Sequence, residues 1–194
     1  MNRYEKLVDE LTRQGVTVDE TTLQGGKVKG LYVQKGGSAL IGVDGSLPVA
    51  EKTCILAEEA GHHHRTVGRV LAQATPTQRK AENAGRRWAF EQCLPLETIA
   101  RIRLENPDLP LGEMAPLMEV TESFLIDAVE HYHRRYGSRK ELPSGLTVQF
   151  DPYFDVWVTG QPHEEFTLYC RSPRGLDTRH RDRLMRYARR LFNR

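Results

Sequence analysis

Residues 53–65 read Thr53-Cys54-Ile55-Leu56-Ala57-Glu58-Glu59-Ala60-Gly61-His62-His63-His64-Arg65, within a run that predicts helix. Helical positions i and i+4 share a face, so Glu58 and His62 can converge on one metal ion. Glu59 lies one residue along, where a carboxylate can serve an attacking water as general base. Two ligands four apart with a glutamate beside the first is a spacing that carries hydrolytic metal chemistry, although the first ligand is a glutamate where a histidine is usual. A catalytic zinc site takes three protein ligands and keeps one position open. The third must come from elsewhere, and Glu82 on the next predicted helix is the best placed in sequence.

An ordinary structural account of the same residues stands beside this one. Adjacent glutamates can be solvated charges near the positive end of a helix. Glu59 and His63 are four apart and can pair, as can Glu82 and Arg86. Cys54 precedes Glu58 by one turn, but the default for it and for Cys93 is a small buried apolar side chain.

The surrounding chain predicts an α+β protein. Tyr4, Leu7, Val8 and Leu11 mark a helix over residues 3–14, ended by Gly15. Residues 28–33 and 39–43 read as strands joined by a loop containing Gly36 and Gly37. The central helix follows Pro48 and stops near Gly68. The next begins at Thr75-Pro-Thr-Gln78, a capping box, with Ala81, Ala84, Gly85, Trp88 and Ala89 on its inner face. After Pro95 a short helix covers 96–104, and Asn106-Pro-Asp-Leu-Pro110 breaks the chain.

Residues 112–118 and 121–136 have the spacing of a helix-turn-helix. Glu122, Asp127 and Glu130 on the second helix would meet phosphates with like charge, which favours a packing role. Phe124, Leu125, Ala128, Tyr132 and Tyr136 form its expected buried stripe. Residues 137–144 read as a linker. Short strands follow at 146–150, 154–158 and 166–170, then a helix over 176–192 with the stripe Leu184, Met185, Ala188, Leu191 and Phe192. Arginines 179, 181, 183, 186, 189, 190 and 194 make that helix a candidate surface for nucleic acid. An amphipathic helix packed on the body, its arginines in water, is the simpler account.

The 194 residues suit one domain, or a domain with a small appendage. Charged residues make up 28%, a globular balance, and a net charge of +2 selects no partner class. The charged start lacks a signal-peptide core, and no apolar run approaches the ~18 residues that span a bilayer. Three cysteines outside any Cys-x-x-Cys pattern fit a reduced, cytoplasmic protein.

Residues 4–137 resemble the ImmA/IrrE family of small metallo-endopeptidases of phages and mobile elements. That family has a short N-terminal helix, a small sheet and a helix bearing His-Glu-x-Gly-His. Glu58-Glu-Ala-Gly-His62 fills the slot, with Gly61 fixing the register. Glu82-Asn-Ala-Gly-Arg-Arg-Trp-Ala89 is similar to the family's downstream ligand helix, with glycine for an alanine and tryptophan for a phenylalanine. Residues 111–125 resemble its helical tail.

The resemblance implies a mainly helical, zincin-like metallopeptidase domain over 1–137, followed by a small α+β extension over 138–194. It implies Glu58, His62 and Glu82 as metal ligands and Glu59 as general base. The partner it implies is a protein substrate, a helix-turn-helix repressor cut at a limited number of sites. Two carboxylates and one imidazole cancel a +2 ion, where two imidazoles and one carboxylate leave +1. The bound ion is then a weaker Lewis acid, and manganese joins zinc as a candidate. The alternative is a catalytically silent regulator that binds a repressor or DNA.

Overall fold

The computed structural model describes residues 1–21, 23, 28–66, 77–161 and 177–192; for residues 65–66, 77–84 and 189–192 it describes the backbone alone. The chain divides into two compact units. The first comprises Met1–Cys93 with Met118–Thr121, the second Leu94–Leu117 with Glu122–Arg194. The expected division after residue 137 therefore falls inside the second unit.

The first unit opens with α1 (Arg3–Arg13). Asn2 starts it with a reciprocal capping box: its Oδ1 accepts from the Glu5 amide at 2.9 Å, and its own amide donates to Glu5 Oε2 at 2.9 Å. Tyr4, Leu7 and Leu11 are buried, as the spacing predicts. Gly15, at φ +82°, turns the chain where a side chain would be strained.

Three strands follow: β1 (Val16–Thr21), β2 (Gly30–Lys35) and β3 (Ser38–Asp44), in the order β1-β3-β2. β1 runs parallel to β3, with Val16 opposite Ala39 and Thr21 opposite Asp44. β2 runs antiparallel to β3, closed by Gly36 and Gly37, both at positive φ. The sequence reading recovers β2 and β3 but not β1. Along β1 only Val16 is buried, so the strand carries almost no apolar signal. The central strand holds the core through Ala39, Ile41 and Val43.

Helices α2 (Val49–Thr66) and α3 (Thr77–Cys93) complete the unit. α2 buries Thr53, Cys54, Leu56, Ala57 and Ala60. Thr53 satisfies its hydroxyl on the Val49 carbonyl at 2.9 Å. The two helices touch at Gly61 and Gly85, where a Cβ on Gly61 would collide with the Gly85 carbonyl. Near the start of α2, Lys52 Nζ meets Glu20 Oε2 at 2.7 Å and lies over the Tyr4 ring at 5.0 Å. That ammonium holds the Glu20 carboxyl below the usual carboxylate range. The segment Met118–Thr121 returns to this unit. Arg3 clasps it, with Nε donating to the Met118 carbonyl at 2.8 Å and its amide to Glu119 Oε2 at 2.5 Å.

The second unit contains α4 (Leu96–Glu105), a 3-10 helix (Gly112–Met118, all but its last residue in this unit), α5 (Glu122–Tyr136), the antiparallel sheet β4 (Arg139–Glu141), β5 (Leu146–Gln149) and β6 (Asp155–Val158), and α6 (Thr178–Phe192). Gly112–Met118 is 3-10 with Pro116 inside, so the segment before α5 is not the first α-helix of a helix-turn-helix. Phe124, Leu125, Ala128 and Tyr132 are buried on α5, while Tyr136 is half-buried. β4 occupies part of the expected linker. Its Arg-Lys-Glu sequence has no apolar residue and pairs only at the edge of β5. The expected strand 166–170 lies outside the described residues.

Of the expected apolar stripe of α6, Met185 is buried and Ala188 half-buried, Leu184 is at the surface, and the side chains of Leu191 and Phe192 lie outside the described residues. Thr178 and Asp182 are also buried. Asp182 Oδ2 accepts from the Leu111 amide at 3.0 Å and meets Arg186 Nη2 at 2.7 Å, and its Oδ1 lies 3.5 Å from Arg103 Nη2. Arg103, 2% exposed, spends Nη1 on the Leu109 carbonyl at 2.7 Å and sits over the Phe154 ring. A carboxylate is thus buried between two guanidinium groups and an amide on the same helix as Met185. Removing that carboxylate would strand the arginines in a dry interior.

Two outcomes follow from these contacts. Gly61→Ala should destabilise the first unit by about 2 kcal/mol or more, because backbone has to move to admit the methyl. Gly45→Ala, whose Cβ would meet Glu20 atoms at an ordinary 3.6 Å, should be nearly neutral; urea denaturation of both variants makes the comparison. Asp182→Ala should cost about 3–5 kcal/mol in the second unit. Denaturation followed by the fluorescence of Trp157, which lies in that unit, would detect it.

Candidate functional site

α2 carries three of the four expected site residues within five positions: Glu58, Glu59 and His62. The Glu58 carboxylate is already engaged, its Oε1 accepting from Arg86 Nε on α3 at 3.0 Å. Both side chains are part-exposed, so the pair is worth at most about 1 kcal/mol. Arg86 also lies over the Phe90 ring. Arg86 therefore reaches across to α2.

Glu59 faces the sheet. A Cβ on Gly30 of β2 would lie 3.1 Å from Glu59 Oε1 and would collide with Ile55. The glycine is what allows this edge strand and the Glu59 carboxylate to come so close. His62 faces α3. A Cβ on Gly85 would lie 3.3 Å from His62 Cε1 and 3.4 Å from Nδ1. Gly85 stands where the resembled helix has alanine, and here the missing methyl makes room for the imidazole. Glu82 belongs to α3, three residues before Gly85, and its side chain lies outside the described residues. Among the described residues, no three His, Cys, Asp or Glu side chains form a metal-holding group.

The other two histidines are placed by rings. His63 Nδ1 shares a hydrogen bond with the Tyr32 hydroxyl at 3.1 Å, and the rings meet edge to face. His64 stacks on Trp88, with centroids 4.3 Å apart. Burial holds both imidazoles below their usual pKa; the neighbouring His63 adds to the effect at His64. The His62-His63-His64 run is thus divided among three surroundings: the α3 backbone, strand β2 and Trp88. Sequence reasoning missed Tyr32, Gly30 and the Arg86–Glu58 pair. The only signal for the first two was the Gly30-Leu-Tyr32 spacing, which puts both on one face of a strand.

Cys54 is not placed as a ligand. Its sulfur accepts from the Thr121 amide at 3.4 Å and lies 3.7 Å from the Thr121 hydroxyl. Burial raises its thiol pKa and pushes that of Cys93 up to about 12. Cys170 lies outside the described residues.

Of the seven arginines named in the sequence, three, all on α6, hold carboxylates of their own unit. Arg179 meets Glu122 at 2.5 Å, Arg181 meets Asp151 at 2.6 Å and Arg186 meets Asp182 at 2.7 Å. Arg183 is exposed, and the side chains of Arg189, Arg190 and Arg194 lie outside the described residues. Among the described residues, no helix is long and apolar enough to cross a membrane. No family model, curated protein or solved structure matches this chain.

With Cys170 replaced by serine, the native protein should give no rapid reaction with a thiol reagent near pH 8. Only the thiolate reacts, and both remaining thiols are buried with raised pKa values. Guanidinium should release both. A fast-reacting thiol in the native state would contradict the burial of Cys54 and Cys93.

Proposed function

We propose that this chain is a metal-dependent endopeptidase of zincin-like architecture that makes limited cuts in a protein partner. By its resemblance, that partner is a helix-turn-helix repressor of a phage or mobile element. The observation that carries the reading is the contact of α2 and α3 at Gly61 and Gly85. It brings His62 against the α3 backbone, and Glu82 precedes Gly85 by one helical turn. Glu58, His62 and Glu82 would hold the ion, with zinc first and manganese second for so carboxylate-rich a set.

The donor chemistry fits a divalent ion. Arg86 competes for Glu58, but an ion pair this exposed gives up its partner for about 1 kcal/mol or less. A bound ion would supply Lewis acidity at the scissile carbonyl and ease deprotonation of water. Glu59 takes the proton of the attacking water and returns it to the leaving amine. Gly30 lets the edge strand lie close beside that carboxylate.

The Arg86–Glu58 pair also favours a second reading, a catalytically silent regulator. In that case Arg86 takes the charge-balancing place of the ion, and the chain binds a repressor without cutting it. A DNA-binding role for α6 gains less support, since Arg179, Arg181 and Arg186 already meet carboxylates.

Elemental analysis of purified protein separates the two. The peptidase reading expects near-stoichiometric zinc or manganese in the wild type, lost in His62→Ala and in Glu82→Ala. Arg86→Ala should raise metal affinity about two- to five-fold by releasing Glu58. Glu59→Gln should keep the metal and lose cleavage of the repressor. A wild type that takes up no metal after add-back selects the silent regulator.

A further inference from the structure

The first unit has a concave site whose lining includes none of Glu58, Glu59, His62 and Glu82. It is an open-sided cavity of about 210 Å³ between α1 and α3, walled at one end by the returning segment. By volume it holds about seven waters. It is smaller than a typical drug-sized pocket, which starts at roughly 300 Å³.

Its lining has a definite chemistry. Lys6, Leu7 and Glu10 come from one face of α1, Trp88 and Gln92 from α3, and Glu119 from the return. Leu7 and the Trp88 ring give an apolar floor. Among the described residues, the Lys6 ammonium, the Gln92 amide and the Trp88 indole N–H have no protein partner. Those three are hydrogen-bond donors, and they converge with the two carboxylates Glu10 and Glu119 on one small volume.

Glu119 adds an independent observation. It is the only described non-glycine residue at positive φ, +57°, a conformation that costs about 1 kcal/mol or more. The strain is held in place from α1: the Arg3 amide donates to Glu119 Oε2, and the Arg3 guanidinium anchors the Met118 carbonyl beside it and the Cys93 carbonyl opposite. The clasp fixes a carboxylate at the rim of the cavity in a backbone conformation that glycine would adopt more cheaply.

Donors beside an apolar floor, with Glu119 held at the rim and Glu10 one turn along α1 from Lys6, match a ligand that carries a carboxylate, an ammonium and a short apolar body. We infer that this cavity binds a small zwitterion of amino-acid size. Lys6, Gln92 and the Trp88 N–H receive the ligand's carboxylate, Glu119 and Glu10 receive its ammonium, and Leu7 with the Trp88 ring covers its side chain. The inference is independent of the peptidase reading, because none of these residues belongs to the proposed metal site.

The chain has two tryptophans, so Trp157→Phe leaves Trp88 as the sole emitter. The replacement keeps an aromatic ring for Arg139. L-leucine serves as the probe, with leucinamide, which lacks the carboxylate, and 4-methylpentanoate, which lacks the amine. Leucine should change Trp88 emission saturably at millimolar concentration, and each single-charge analogue should bind about tenfold more weakly. Lys6→Gln and Glu119→Gln should each weaken leucine by a similar factor, with thermal melts confirming that both fold. Titration calorimetry on the wild type repeats the measurement without the Trp157 change. No saturable signal by either method up to about 20 mM would overturn the inference. So would equal binding of the single-charge analogues, which would make the cavity a merely apolar cleft, or leucine binding unaffected by Lys6→Gln and Glu119→Gln.

Discussion

The first unit depends on two glycines that let two helices touch backbone to backbone. At the Gly61–Gly85 crossing there is no side chain on either helix. Helices usually pack 8–10 Å apart, set by the side chains at the contact. Removing both side chains shortens the reach between residues on either flank. That is why Arg86 can bridge to Glu58 one turn away from the crossing, and why an imidazole can lie directly on the opposing backbone. The arrangement of Glu58, His62 and Arg86 follows from this closeness. Larger residues at the crossing would separate Glu58 and His62 on α2 from Arg86 and the backbone of α3.

The strongly periodic elements were legible in the sequence. α1, α4 and α5, and the β2–β3 hairpin, announce themselves by apolar spacing and by glycines at the turns. Two edge strands did not. β1 buries one valine, and β4 is Arg-Lys-Glu; each is held by backbone pairing to a neighbour rather than by its own side chains. α6 was legible in part. Met185 of its apolar stripe is buried, but Leu184 is exposed, and Asp182 with its guanidinium partners is buried where the stripe gave no sign of it. A buried ion network is made of partners distant in sequence, and helical periodicity carries no trace of it.

Of the candidate residues, the sequence shows which helix carries each and much less of how they are arranged. Spacing along α2 places Glu58 and His62 correctly on a helix. It does not say that Glu58 meets an arginine, that Glu59 turns to the sheet edge, or that three consecutive histidines part to three different neighbours. Each of those facts is decided by what lies opposite: Arg86, Gly30, Tyr32 and Trp88. Position 85 has glycine where the resembled helix has alanine. In the structure the missing methyl leaves the space that His62 occupies.

The discontinuous make-up of the first unit bears on how the protein is born. Residues 118–121 belong with 1–93, and the intervening segment belongs to the other unit. A ribosome therefore releases everything else in the first unit before the piece that closes it. Until then, Cys54 lacks the Thr121 contacts and Arg3 lacks the Met118 carbonyl and the Glu119 carboxylate. Translation through the second unit's opening helix sets the earliest moment at which the first can finish. The two cannot mature strictly one after the other from the N-terminus, and a nascent chain stopped after Cys93 would lack the segment that Arg3 and Cys54 hold.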